Sequence, residues 1–411
     1  MEAKTAAMTV LMTLILNGYK AFLAGGCVRD LMLGRVPKDY DVTTSARPDE
    51  VAALFGKTIL VGVAFGVVVV VLDGVQIEVA TFRTDGQYSD GRRPDVVFYS
   101  TSARADVVRR DFTMNGMLLN ENGDTIDFVG GGKDIEAKVI RCIGDPVARF
   151  SDDSLRKMRA VRFVAQLGFE IEGNTFDAIV ANPSLTGVSK ERIAAELFKL
   201  VSAPFAAEGL VALAQTGLLQ EVLPDVVLTH RHFYRFKQFQ TTDPVMGMAM
   251  LLVDSGLAVT EKVCRDLKLS TEQRLAVLGA VQTMEFQQVS CPSVADVKLF
   301  ARTPGVLPYG VDLLEQGVAL GDDNGVEATM ALIADFRALT QGDLYPTPLV
   351  TGGDLIALGL TPSPLFTRIL GAVERAQLDG DVSTKEAALE LAKGVAALGS
   401  KLTDIANPFP V

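Results

Sequence analysis

The sequence predicts an α+β chain: a mixed α/β head over residues 1–145, then an all-helical remainder. Three observations predict it. Strand-like runs ("AFLAGG", "KDYDVTT", "FGVVVVVLDGVQIEVATFR", "GDTIDFVGG") are confined to the head. From Phe150 onward strand signals nearly vanish, and apolar residues recur at helical spacing between Ser or Asn caps and glycine stops. No stretch reaches the roughly 18 consecutive apolar residues of a membrane-spanning helix, so no membrane partner is expected.

In chain order, "AAMTVLMTLILNGYKAF" has too short an apolar core, and upstream charges too mixed, for a signal peptide; it reads as an amphipathic first helix. "YKAFLAGG" is a short strand ending at Gly25-Gly26. "CVRDLMLGR" is a short helix closed by Gly34 and Pro37. "KDYDVTT" is extended, so Asp39 and Asp41 share one face. "RPDEVAALFG" reads as a helix, and "FGVVVVVLDGVQIEVATFR" as two strands around the turn Asp73-Gly74. "DGQYSDGRRPD" is polar and glycine-containing, a mobile loop. "DVVRRDFTMNGMLLN" reads as a helix, and "GDTIDFVGG" as a strand and turn. "DDSLRKMRAVRFVAQLGF", "NTFDAIVAN", "SKERIAAELFKLV" and "AEGLVALAQTGLL" are helical by spacing.

Composition bounds the function. A chain of 411 residues holds two to four domains. Its four cysteines (Cys27, Cys142, Cys264, Cys291) are far apart with no C-x-x-C, so neither a disulfide framework nor zinc is expected, and a reducing, cytoplasmic setting fits. The two histidines, His230 and His232, form a lone H-x-H in "LTHRHFYRFKQF", which reads as a polar loop. Net charge is −11, yet residues 1–160 carry 20 basic and 21 acidic residues, against 19 and 29 in the rest. A near-neutral head with basic clusters is compatible with an RNA partner.

The chemistry concentrates in four stretches. A D-x-D pair alone is common and carries little. Here it follows a glycine pair and Arg29 in "GGCVRDLMLGRVPKDYDV". Two same-face carboxylates repel unless a cation neutralises them, and hard divalent cations such as Mg²⁺ prefer carboxylate oxygens while leaving room for phosphates. Gly25 and Gly26 offer bare backbone N–H groups at a helix start, suited to a triphosphate. Arg29 adds a forked donor. There is no G-x-G-x-x-G and no G-K-[ST], so dinucleotide-binding and P-loop readings lack support. Glu78 in "QIEVATFR" is a third candidate carboxylate on a neighbouring strand, or simply a charged residue on a half-exposed strand. In "RRDFTMNG", Arg109 and Arg110 hold phosphate or pair with Asp106 and Asp111; beside the D-x-D, phosphate binding is favoured.

In "DDSLRKMRAVRF", Asp153, Arg156, Arg159 and Arg162 recur every three residues as a stripe on one helix, either a solvated salt-bridge face or a base-reading edge. A carboxylate only accepts hydrogen bonds and a guanidinium only donates. Cytosine and adenine present an amino donor beside a ring-nitrogen acceptor, and uracil and guanine the opposite, so Asp153 with Arg156 would accept C and A and reject U and G.

These stretches together resemble the class II CCA-adding enzyme and bacterial poly(A) polymerase family of nucleotidyltransferases. "GGCVRDLMLGR…DYD" is similar to its catalytic motif, "RRDFTMNG" to its second, "DDSLRKMRAVRFVAQLGF" to its nucleotide-selecting motif, and "SKERIAAEL" to the helix that follows. The resemblance runs through roughly the first half. It implies a nucleotidyltransferase-type α/β head (1–145), a helical neck selecting the nucleotide (146–205), a helical body (206–340) and a helical, RNA-binding tail (341–411). It implies Mg²⁺-dependent transfer of C and A from CTP and ATP to an RNA 3′ end, most of all that of tRNA, releasing pyrophosphate. Asp39 and Asp41 would be metal ligands; Gly26, Arg29, Arg110, Asp153, Arg156, Arg159 and Arg162 would contact the nucleotide.

Two positions depart from the pattern: Asp152 stands where a glutamate is usual, and Asn115-Gly116 where Asn-Ala is usual. Relatives that carry a histidine-aspartate hydrolase module need histidines absent here, so no phosphohydrolase activity is expected. The full-length "DGQYSDGRRPDVVF" loop favours addition of the terminal A. Poly(A) or A-only addition is the alternative within the family. Outside it stand a catalytically silent RNA-binding protein, which intact Asp39 and Asp41 oppose, and transfer to a small molecule, which the long helical half opposes.

Overall fold

The computed structural model describes residues 1–60, 66–85, 97–289, 292–321 and 325–398. Most of the "DGQYSDGRRPD" loop and Cys291 lie outside the described residues. The chain divides into two compact units, Met1–Leu251 with Val263–Leu269, and Leu252–Lys262 with Ser270–Val411.

The first unit is built on a seven-stranded mixed sheet, preceded by helix α1 (Ala3–Leu16). Its strands are β1 (Ala21–Ala24), β2 (Asp41–Thr44), β3 (Thr58–Ile59), β4 (Val67–Leu72), β5 (Val75–Thr81), β8 (Met117–Leu119) and β9 (Thr125–Asp127), while β6 (Arg83–Asp85) and β7 (Val97–Tyr99) pair apart as a ribbon. The sheet order is β3-β4-β5-β2-β1-β8-β9. The β-branched run Val67–Val71 pairs with β5 through a hairpin in which Asp73 and Gly74 both take positive φ (47° and 82°), the turn chemistry that Asp-Gly supplies. Strand β1 lies antiparallel to both β2 and β8, whereas β2 and β5 run parallel, joined through α3 (Pro48–Leu54) and β3-β4. Helix α2 (Gly26–Met32) springs from the end of β1.

One expectation needs correcting here. "DVVRRDFTMNGMLLN" is not a single helix: α4 (Ala103–Val108) stops at Arg109, a 3-10 turn spans Thr113–Asn115, and Met117–Leu119 joins the sheet as β8. The apolar residues of this stretch are satisfied by sheet pairing with β1, which periodicity over so short a run cannot distinguish from a helix. Gly116, the departure from Asn-Ala, has its reason here. A Cβ there would stand 2.8 Å from a Val129 methyl and 3.0 Å from Ile143.

Beyond the sheet come α5 (Gly131–Glu136), α6 (Pro146–Asp152), α7 (Leu155–Leu167), α8 (Gly173–Ala181) and α9 (Lys190–Val201). Helix α7 is buried along most of its length, with Met158, Val161 and Phe163 against the core. "HRHFYRFKQ" forms a helix, His230–Gln238, not a polar loop. His232, Arg235 and Phe236 make a buried stripe at helical spacing, and the His232 ring nitrogen caps the helix by accepting from the Thr229 N–H at 3.1 Å. The continuous helical stretch Pro244–Asp266 is long and apolar enough to cross a membrane by length and composition alone, with mean hydropathy 1.2. Met248 to Leu252 on it are buried at 0–1% exposure, and a 3-10 turn at Val253–Ser255 interrupts it, as in a core helix of a folded chain.

The second unit is helical. One apolar core gathers Phe286, Phe300 and Phe336 with Leu314 and Ile333, and a separate one gathers Val350, Leu355, Ile369, Val373, Ala388 and Ala392.

Candidate active site

The site forms where β1 ends, β2 begins and β5 runs beside β2. Register puts Asp41 directly opposite Glu78 on the neighbouring parallel strand. Strand β2 begins only at Asp41, so Asp39 lies in the bend before it, not on the strand. The alternation nonetheless holds: Tyr40 is buried at 6% exposure while Asp39 and Asp41 are both exposed, so the two carboxylates leave the same side. Asp41 is pushed up to about 6 by burial against the surrounding protein mass and by the charges of Glu78 and Asp39, with Arg110 opposing. Although its tip reaches solvent, it stands in a carboxylate cluster that holds excess negative charge.

Among the described residues no three His, Cys, Asp or Glu side chains enclose a cation by themselves. Two or three open carboxylates suit Mg²⁺, which keeps waters and borrows substrate phosphate oxygens rather than entering a closed cage.

Gly25 supplies the backbone the site needs. It caps α2 with φ +75° and ψ −133°, a conformation that only glycine adopts readily. A Cβ at Gly25 would stand 3.3 Å from Arg110 Nη1 and 4.0 Å from Asp41 Oδ2. Glycine pair, arginine and carboxylate therefore border one space. Gly25→Ala should raise the KM for nucleotide at least tenfold, because it closes that space. Gly34→Ala is the control: φ there is +67° but nothing lies within 4 Å, so it carries the backbone strain alone. If the two variants lose equal stability and equal affinity, strain explains both and the cradle does not exist.

Arg109 and Arg110 both fork onto buried Asp106, at 2.6 and 3.0 Å. Burial pushes Asp106 up, and the two arginines outweigh it, so it titrates below the usual carboxylate range. Asp111 turns the other way. It accepts Arg159 Nε at 2.8 Å and Nη2 at 2.5 Å, the Asn115 amide at 3.2 Å and the Phe112 N–H at 2.8 Å. Burial raises its pKa, and Arg159 then drives it down to about 2.

The candidate residues thus join one buried network. Arg29, 4% exposed, gives Nε and Nη2 to Asp30 and Nη1 to Asn115 at 2.8 Å. Asn115 donates to Asp111, Asp111 holds Arg159, and Arg159 Nη1 approaches Glu196 on α9 at 3.9 Å. Arg162 Nε meets the other Glu196 oxygen at 2.6 Å, and burial lowers its pKa to about 10, still charged at neutral pH. The Phe163 ring has Arg162, Arg29 and Arg159 within 3.7, 5.2 and 5.5 Å of its centroid. All four motifs quoted from the sequence meet here.

The single-helix stripe is corrected. Asp153 sits in extended backbone (φ −146°, ψ 104°) between α6 and α7, and only Arg156, Arg159 and Arg162 lie on α7. Its Oδ1 accepts the Leu155 N–H at 3.1 Å and its Oδ2 accepts Arg192 at 2.9 Å. Arg156 gives Nη1 to the Arg149 carbonyl at 3.0 Å and Nη2 to the Arg109 carbonyl at 3.1 Å, joining α7 to the residue that ends α4. At 8% exposure each, Arg156 and Arg162 are not a solvated salt-bridge face. Sequence reasoning did not single out Asn115, Glu196, Arg192 or Phe163. Asn115 and Glu196 stood within quoted motifs; Arg192 and Phe163 carried no separate signal.

Comparison with known proteins places this geometry. The Poly A polymerase head domain family matches residues 21–141, and the family described as a probable RNA and SrmB-binding site of polymerase A matches residues 168–228. A CCA-adding enzyme of Geobacillus thermodenitrificans is 52% identical over 213 residues, which is 52% of this chain and 53% of that relative. The chain thus spans about half the length of that relative in the matched stretch. A CCA-adding enzyme of Bacillus licheniformis is 32% identical over 394 residues, covering 93% of this chain and 96% of the relative. The crystal structure of the Bacillus stearothermophilus CCA-adding enzyme in complex with CTP superposes with a TM-score of 0.80 at 31% identity, covering 97% of this chain and 98% of that one.

Proposed function

Because the chain belongs to the CCA-adding enzyme family of nucleotidyltransferases, we propose that it adds C and A, without a template, to the 3′ end of tRNA from CTP and ATP. The observation that carries this reading is the pairing of Asp41 with Glu78 across adjacent strands, opening beside Gly25 and Arg110. Asp39 and Asp41 would hold Mg²⁺, with Glu78 as a third carboxylate within reach of its charge. Once bound, the cation would lower the pKa of the RNA 3′-hydroxyl and screen the triphosphate.

The chain's own residues do the positioning. The Gly25-Gly26 backbone and Arg110 receive the phosphates. Asp153 accepts the exocyclic amino group of C or A, and Arg156, Arg159 and Arg162 keep the selecting helix attached to the head. Such catalysis rests on placement and charge rather than covalent chemistry, with pyrophosphate leaving in line. We further propose the division into head (1–145), neck (146–205), body (206–340) and RNA-binding tail (341–411). The separate apolar core of Val350–Ala392 supports the last boundary. The proposed compartment is the cytoplasm, where the buried thiols Cys27, Cys142 and Cys264 stay reduced.

The test offers purified protein each NTP singly, with tRNA ending before CCA or after CC. CTP should extend the first by two residues and ATP the second by one, with UTP and GTP inert. Repeated addition from ATP alone, on any RNA end, would make the chain a poly(A) polymerase of the same family.

A further inference from the structure

Arg192, the third residue of α9, was not part of any motif. Its Nη2 donates to Asp153 Oδ2 at 2.9 Å, and its Nη1 is buried with no hydrogen-bond partner among the described residues. Both nitrogens belong to one rigid plane, so an unused donor stands immediately beside the Asp153 acceptor. Arg156, the donor expected from the sequence, has both terminal nitrogens on the Arg149 and Arg109 carbonyls. A buried N–H left without a partner is unfavourable, and a bound group with an acceptor in that place removes the penalty.

We propose that Arg192 is a specificity-determining residue of the nucleotide site. It fixes the Asp153 carboxylate and presents the N–H beside it, and the two together form the acceptor–donor edge that matches cytosine and adenine. The amino group of either base donates to Asp153, and the adjacent ring nitrogen accepts from Arg192. Uracil would set its carbonyl against the carboxylate and its ring N–H against the guanidinium, two like-for-like clashes. Guanine fails in the same way. The inference rests on the reading that Asp153 contacts the base, and it transfers the donor role from Arg156 to Arg192.

The test measures kcat/KM for CTP, ATP and UTP in Arg192→Ala, Arg192→Lys, Asp153→Ala and the double variant, each beside a melting curve. The CTP-over-UTP ratio should fall about tenfold or more in Arg192→Ala, the size of one lost charged hydrogen bond. Arg192→Lys should recover part of it, since lysine keeps the cation on Asp153 but not the forked plane. The double variant should lose no more selectivity than Asp153→Ala. Should Arg192→Ala not fold, Arg192→Gln is measured instead; it keeps an N–H without the charge, and its ratio must still fall. If Arg192→Ala keeps the full ratio while Asp153→Ala loses it, Arg192 is a structural ion pair and Asp153 alone reads the base. If Asp153→Ala also keeps the ratio, the base-reading assignment is wrong and this inference falls with it.

Discussion

Replacing Asp41 by alanine should remove nucleotide transfer, with kcat/KM falling by roughly 10³ or more, while the head stays folded. The side chain is exposed at its tip and contributes little packing, so its loss acts on the charge arrangement rather than on the core. Asp41→Asn sharpens the test. In the metal-free protein Asp41 titrates near 6, above its ordinary 3.8, because burial and the Glu78 and Asp39 charges disfavour its ionised form. The folded state therefore binds the proton more tightly than the unfolded chain. The resulting stabilisation is present below about pH 4 and is lost as pH rises through 6. Above that pH Asp41→Asn should melt no lower than the parent protein in the absence of metal, and it should lose most of the stabilisation that added Mg²⁺ gives the parent. That stabilisation should itself shrink between pH 7 and 5, as Asp41 takes up its proton. A variant that transfers nucleotide at the parental rate with Mg²⁺ present would refute the metal assignment. So would a parent whose melting point ignores Mg²⁺ at pH 7.5.

The second large effect is expected at Asp111. Removing one partner of a buried ion pair costs about 3–5 kcal/mol. Arg159 keeps 33% of its side-chain surface exposed and regains some solvation, so Asp111→Ala should cost roughly 2–4 kcal/mol. For a unit of this size that lowers the melting temperature by about 5–15 °C. Asp111→Asn, which still accepts one Arg159 hydrogen bond, should lose less. The acid side follows from the same pair. Asp111 lies at about 2 in the folded protein, below its ordinary 3.8. Its stabilisation is complete above about pH 4 and fades as pH falls towards 2, so the parent should lose stability across that window and Asp111→Ala should not. Activity should fall with stability, because Asp111 links Arg29 and Asn115 of the head to Arg159 of the selecting helix. An unchanged melting point in Asp111→Ala would mean the network is redundant.

How much was legible in advance varies with the range of the interaction. The hairpin at Asp73-Gly74 announced itself through two residues whose backbone preferences dictate the turn. The helices α8 and α9 followed from apolar spacing, and Gly25 from the demand for a left-handed cap. "DVVRRDFTMNGMLLN" was misread because Met117–Leu119 is apolar enough for either state, and only the presence of β1 as a pairing partner settles which. His232 was misread because an isolated polar residue gives no sign of being a helix cap.

By itself, the sequence determined the α+β division, the carboxylate pair Asp39 and Asp41, the glycine turn before α2 and the set of arginines. These are written in local terms: period, backbone freedom and the chemistry of neighbouring side chains. Only the tertiary structure decided the pairings. It set Glu78 opposite Asp41, gave both Arg109 and Arg110 to Asp106, and gave Asp111 to Arg159 forty-eight positions away. It also moved Asp153 off its helix and into the grip of Arg192. Ion pairs of that range leave no periodic trace, because any carboxylate suits any guanidinium until the packing of strands and helices fixes which ones meet.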